Sequence, residues 1–226
     1  MVDSFLAVLR VLHVAGGFVA FTAAPVALLS VKGGRRHILA GRFFALGMGM
    51  GTTAGILLSV IRPDLVLDLF LLGLVGLFFL ATGYLAPRVG RGSRGCYRWD
   101  RVLTAAGLLA SLVLFSYGLL HTTLRAPIQE GVVIGGFGAW VAVAHSRWRG
   151  PADPSRWRVE HLTSFLAAYT VIWLFIFALY IRVLPRTAQL LIPVGLGVAA
   201  ILWARRRFGE PSVAPDPAVG ALTGVA

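Results

Sequence analysis

Charge is what this chain has least of. Only 13% of its 226 residues are Asp, Glu, Lys or Arg, against 58% hydrophobic, and the mean hydropathy is +0.81. A soluble domain of this length needs far more polar surface, so its solvent is lipid. Cysteine is nearly absent as well. Cys96 stands alone in a basic stretch, which excludes an intrachain disulfide and a multi-cysteine metal site. Lys32 is the only lysine and falls between apolar runs, whereas a retinal protein needs a Schiff-base lysine in its last helix. Acids are scarce beside bases, 9 against 21, for a formal net charge of +12. The bases sit between apolar segments rather than on one solvated face. That pattern excludes a nucleic-acid partner and points to orientation in the bilayer and contact with anionic lipid headgroups.

What is present is a succession of apolar runs long enough to cross a membrane. The organising stretch is Val11 to Arg42, an apolar helix followed by Lys32-Gly33-Gly34-Arg35-Arg36-His37 and the Gly41-Arg42 entry into a second helix. About twenty uncharged residues cross the hydrocarbon core, and fixed positive charge behind them does not readily follow. The same logic predicts an all-α bundle of seven spans, over about Ser4–Val31, Leu39–Ile61, Leu65–Ala86, Asp100–Leu124, Ile128–Ser146, Val159–Leu184 and Thr187–Ala204. Arg62-Pro63-Asp64 is read as a tight turn and Pro87 to Arg98 as a loop. Arg147 to Arg158, with two prolines and two tryptophans, is read as an interfacial loop. Residues 1–207 form the membrane domain, and 208–226, rich in Pro, Ala, Gly and Val, form a disordered cytoplasmic tail. No removable signal peptide is expected. The first apolar run is too long for an h-region and holds Arg10 and His13, and Ala23-Ala24 is followed by Pro25.

Loop charge sets orientation. Lys32, Arg35, Arg36 and Arg42 follow the first span, Arg88, Arg91, Arg94, Arg98 and Arg101 the third, Arg147, Arg149, Arg156 and Arg158 the fifth, and Arg205, Arg206 and Arg207 the last. The opposite loops hold little more than Arg62, Arg125 and Arg186. The N-terminus is therefore expected outside and the C-terminus in the cytoplasm, in a bacterial inner membrane.

Small residues mark where helices meet in lipid. Gly47, Gly51 and Gly55 recur at intervals of four, and Gly131, Gly135, Gly138 and Ala142 form a second seam that His145 continues. His13 shares a face with Gly16, Gly17 and Ala20, His121 with Gly107, Ser111 and Gly118, and His161 with Ser164 and Ala168. These four histidines thus point at other helices. Depth sorts the ionisable groups into two layers. His13, His121 and Asp68 lie near the outer face, while His37, His145, His161 and Glu160 lie near the inner one. The bland reading makes each histidine a capping or hydrogen-bonding group. A carboxylate such as Asp68 inside a span is costly unless paired, and Arg10, His13 or His121 are the partners within reach.

Three functions fit this pattern. The first is a non-catalytic membrane component for transport, assembly or a larger complex, with buried His and Asp side chains as polar glue and a complex partner or second copy beside it. The second is a bis-histidine haem b protein of electron transfer, with His13 and His121 ligating outside and His145 and His161 inside. The third is a metal-dependent membrane enzyme with His13, Asp68 and His121 around zinc or iron at the outer face. His37, Arg36, Arg42, Arg158 and Glu160 make a further polar site at the inner boundary, either a ligand pair with His161 or the wall of an anion pocket. Zinc hydrolases of the ceramidase and adiponectin-receptor kind are set aside, because their late helix carries paired histidines and the seventh helix here has none.

The run Leu12-His13, Gly17, Pro25, Lys32-Gly33-Gly34, His37 and Gly41-Arg42, with Arg156-Trp157 and His161 opening a later helix, resembles a family of bacterial predicted membrane proteins known only as a domain of unknown function. The resemblance spans the first helix through the sixth. It implies that His13, His37 and His161 belong to the family's pattern, and it carries no activity with it.

Overall fold

The computed structural model describes the backbone of residues 2–61, 66–120, 127–148, 150, 156–181 and 183–208, and their side chains except at 2, 66–69, 127–130, 178 and 179. Among the described residues seven helices follow one another: α1 (Val2–Leu29), α2 (Arg35–Ile61), α3 (Val66–Gly90), α4 (Arg94–Leu120), α5 (Pro127–Ser146), α6 (Trp157–Tyr180) and α7 (Arg186–Phe208). All but α5 are long and apolar enough to cross a bilayer. The apolar side chains left outside the bundle are large and numerous, among them Val14, Phe18, Leu46, Leu109 and Leu120, each at least 64% exposed. In water that surface is an aggregation hazard; facing acyl chains it costs nothing.

The architecture is two close hairpins around a central pair. α3 and α6 pack together in the middle, α1/α2 and α4/α5 flank them, and α7 lies against α6 and α5. Phe79 and Val75 of α3 and Ala167 and Ala168 of α6 are wholly enclosed. Thr82 donates to Ser164 Oγ at 3.2 Å across the pair.

Glycine sets how closely each hairpin closes. A Cβ on Gly16 would stand 2.6 Å from both Gly47 O and Gly51 N, and one on Gly47 would stand 2.7 Å from Gly16 O. The Gly47/Gly51 stripe therefore meets α1 at backbone contact, without side chains between. Its turn requires one left-handed residue, Gly33 at φ +79°. In α4/α5 a Cβ on Gly135 would stand 2.5 Å from Phe115 N and 2.7 Å from Ser111 O.

One boundary differs from the sequence expectation in a way that matters. The Pro87–Arg98 stretch is not a loop: α3 runs on to Gly90, α4 begins at Arg94, and only 91–93 turn, with Gly92 at φ +89°. Pro87 is tolerated inside α3, as prolines are in lipid-embedded helices where a neighbour supplies the lost hydrogen bond. Asp100 consequently lies inside α4, in its second turn, instead of opening it. The α2 start likewise moves from Leu39 to Arg35, and His37 is helical. The Arg62-Pro63-Asp64 turn, the 121–126 connection and the tail from 209 lie outside the described residues.

Candidate functional site

Because successive helices alternate in direction, the ends of α1, α3, α5 and α7 and the starts of α2, α4 and α6 share one face of the bundle. Among the described residues, all the lysine and arginine side chains except Arg10 and Arg186 belong to this face. Two polar clusters are built on it.

The first joins four helices. His145, in the last turn of α5, stands between Asp100 of α4 and Glu160 of α6: Nε2 is 3.0 and 3.1 Å from the two Asp100 oxygens, and Nδ1 is 3.1 Å from Glu160 Oε2. The three side chains are 2%, 1% and 0% exposed, and the enclosed Trp148 ring stands edge-on over the imidazole at 5.7 Å. Facing two ionised carboxylates, an imidazole satisfies both only as the doubly protonated cation; with one carboxyl group protonated, the neutral ring does so as well. Arg205 of α7 brings Nη2 to 3.6 Å from Glu160 Oε2, and Arg156 brings Nε to 3.4 Å from Oε1. The guanidinium of Arg205 is close enough for charge attraction and too far for a hydrogen bond. Among the described residues its Nε and Nη2, Glu160 Oε1 and Thr163 Oγ1 are buried without a hydrogen-bond partner. Arg101 Nη1 ties the same ends together by donating to Ser146 O at 2.6 Å.

Each charge also suits its own helix end. Glu160 lies in the first turn of α6, where the dipole is positive, while His145 and Arg205 lie in the last turns of α5 and α7, where it is negative. The signs of the network thus follow from position in the helix as well as from the partners.

The second cluster is built on hydrogen bonds to backbone carbonyls and joins α1, α2, α3 and α6. His37 Nδ1 donates to Ala27 O at 2.9 Å, and His161 Nδ1 donates to Gly83 O at 2.8 Å. Both acceptors lack a helical partner for identifiable reasons. Ala27 lies in the last turn of α1, whose carbonyls have no intrahelical donor, and Lys32 Nζ caps the adjacent Leu28 O at 2.6 Å. Gly83 is four residues before Pro87, which has no N–H to give. His161 replaces the hydrogen bond that this proline removes. The two imidazole centroids are 6.4 Å apart, with Phe165 and Trp157 against His161 at 4.8 and 6.3 Å.

Of the residues singled out by sequence, the fold brings His37 to His161 and His145 to Glu160. It does not bring His145 to His161. His13 donates from Nδ1 to Gly51 O at 2.8 Å and stands edge-on to Phe175 at 6.5 Å. His121 and the side chain of Asp68 lie outside the described residues, so the outer pair and the outer His13/Asp68/His121 set do too. Arg36, Arg42 and Arg158 are exposed; Arg158 lies over the Trp157 ring at 5.6 Å. Sequence reasoning missed Asp100 and Arg205. The signal was there in the scarcity of acids, since an acid at the depth of His145 in so apolar a chain needs a cation. Among the described residues no three His, Cys, Asp or Glu side chains are grouped as metal ligands would be. No family model, curated protein or solved structure matches the chain.

Proposed function

We propose that the chain is a seven-span protein of the bacterial cytoplasmic membrane, N-terminus outside and C-terminus inside, and a non-catalytic component of that membrane. The observation that carries the reading is the employment of its histidines. His13, His37 and His161 donate to backbone carbonyls, and His145 is held by Asp100 and Glu160. Polar groups in lipid that complete one another's hydrogen bonds join helices without any substrate. The described apolar part of α5, Gly131–Ser146, is the shortest of the seven, and its place in the bilayer rests on the glycine seam it shares with α4. Orientation rests on the basic face, and reporter fusions after Gly34, Arg94, Gly150 and Arg207 test both. All four are expected to report cytoplasm; an outside signal at any one removes a span.

A second reading has one specific observation in its favour. Each Nδ1 of His37 and His161 is anchored on a backbone carbonyl, the arrangement that orients metal-ligating imidazoles, and neither ring makes another hydrogen bond among the described residues. The two ring centroids stand 6.4 Å apart, in edge contact. A haem or metal protein would on this reading use His37 with His161 as its inner pair. An absorption spectrum and metal analysis of detergent-purified protein separate the two. Absence of a Soret band and of stoichiometric metal supports the non-catalytic component. Either signal, lost in both His37→Ala and His161→Ala, replaces it with the second reading.

A further inference from the structure

α2 and α4 both pack on α3 but form no packed interface with each other, and the gap between them is a groove of about 810 Å³ with α3 as its floor. Its α3 side runs from Leu74 to Tyr84. Ten residues of helix at about 1.5 Å each make it about 15 Å long, the depth of one leaflet in a hydrocarbon core about 30 Å thick. The walls are apolar apart from Arg42, which stands with Tyr84 and Leu103 toward the basic face. Arg42 also lines a smaller pocket of about 490 Å³ with Arg35, so the two spaces meet at one guanidinium. Beside them Arg88 lies over the Tyr84 ring at 4.3 Å and donates to Tyr84 OH at 3.1 Å. Neither Arg35, Arg42 nor Arg88 has a carboxylate partner among the described residues.

We infer that this groove is a binding site for an anionic glycerophospholipid of the leaflet on the basic face, its acyl chains along α3 and its phosphate between Arg35 and Arg42. The charge complementarity is local. An acyl-deep, arginine-free groove would take any lipid of that leaflet, whereas three cations at its mouth without counter-charge favour an anionic headgroup. The inference rests on the chain being embedded in a membrane and not on its being non-catalytic, so a haem spectrum would leave it standing.

The test uses the full chain, purified in detergent and stripped of lipid, with its melting temperature followed as phosphatidylglycerol, phosphatidylcholine of the same acyl chains, or glycerol phosphate is added. Phosphatidylglycerol is expected to raise the melting temperature saturably and well beyond phosphatidylcholine, with glycerol phosphate inert. Arg42→Gln is expected to weaken the apparent affinity for phosphatidylglycerol about fivefold, as for loss of one surface cation. Ala106→Phe, at an exposed position on the α4 wall, fills the groove and is expected to remove the effect, while Arg207→Gln on the last turn of α7 leaves it intact. Equal stabilisation by the two lipids, an undiminished response in Arg42→Gln, or an equal response to glycerol phosphate would overturn the assignment.

Discussion

The two clusters on the basic face use the same side chain in opposite ways. At the α4–α7 corner, His145 is enclosed by two carboxyl groups and the Trp148 ring, all at most 2% exposed, with Arg205 behind Glu160. At the α1/α2/α3/α6 corner, His37 and His161 are donors that complete helices left short of hydrogen bonds by a terminus and by a proline. The first corner is held by charge in a low dielectric, where breaking one partnership leaves another charge stranded. The second is held by single hydrogen bonds and by the glycine-to-backbone contact of α1 on α2, where each loss is local. Burial of charge makes a contact cooperative, and capping of single carbonyls keeps it modular.

The sharpest way to break the contrast is His145→Leu. It places Asp100 and Glu160 beside each other with no cation between them, and is expected to cost about 3–5 kcal/mol, a fall on the order of 10 °C in melting temperature. Adding Asp100→Leu to that variant is expected to restore part of the loss, because it removes the stranded charge. An unchanged melt for the single variant would show that the network holds nothing together.

Gly51→Leu attacks the α1/α2 hairpin that carries the other corner, away from the basic face, where it depends on backbone contact. A side chain there meets Gly17 N and His13 O, both 3.1 Å from an added Cβ. The expected cost is about 1–3 kcal/mol or more, since the wall is main chain and cannot yield. A melt unaltered by this change would mean that the hairpin closes by other means.

His161→Leu is expected to cost only about 1 kcal/mol, the net worth of one hydrogen bond. In a Pro87→Ala background the cost is expected to shrink toward zero, because the N–H of residue 87 then serves Gly83 O itself. Equal costs in the two backgrounds would separate His161 from the proline.

The gentlest probe reads proximity rather than stability. In a Cys96→Ser background, His37→Cys with His161→Cys is expected to join under mild oxidation if the two Cα atoms lie within about 7 Å. Failure with both thiols reactive would place the two Cα atoms beyond that reach.

By itself the sequence determined the all-helical class and the number and order of the described helices. Apolar runs of spanning length separated by arginine-rich breaks dictate helices in lipid, because no other local structure satisfies the backbone there. The glycine spacings marked the two close hairpins, as the contacts of Gly47 and Gly135 bear out. It also placed His37, His145, Glu160 and His161 at one level. What it did not determine was azimuth. Hydrophobicity on every face of a buried helix leaves its rotation about the axis unmarked, so equal depth suggested His145 with His161, while packing turned His145 to Asp100 and His161 to His37. Asp100 itself was hidden by a Gly- and Arg-rich stretch that reads as loop and folds as the first turns of α4. Only the tertiary structure decides such pairs, because each is fixed by the rotation and approach of whole helices, which small residues far from the site control.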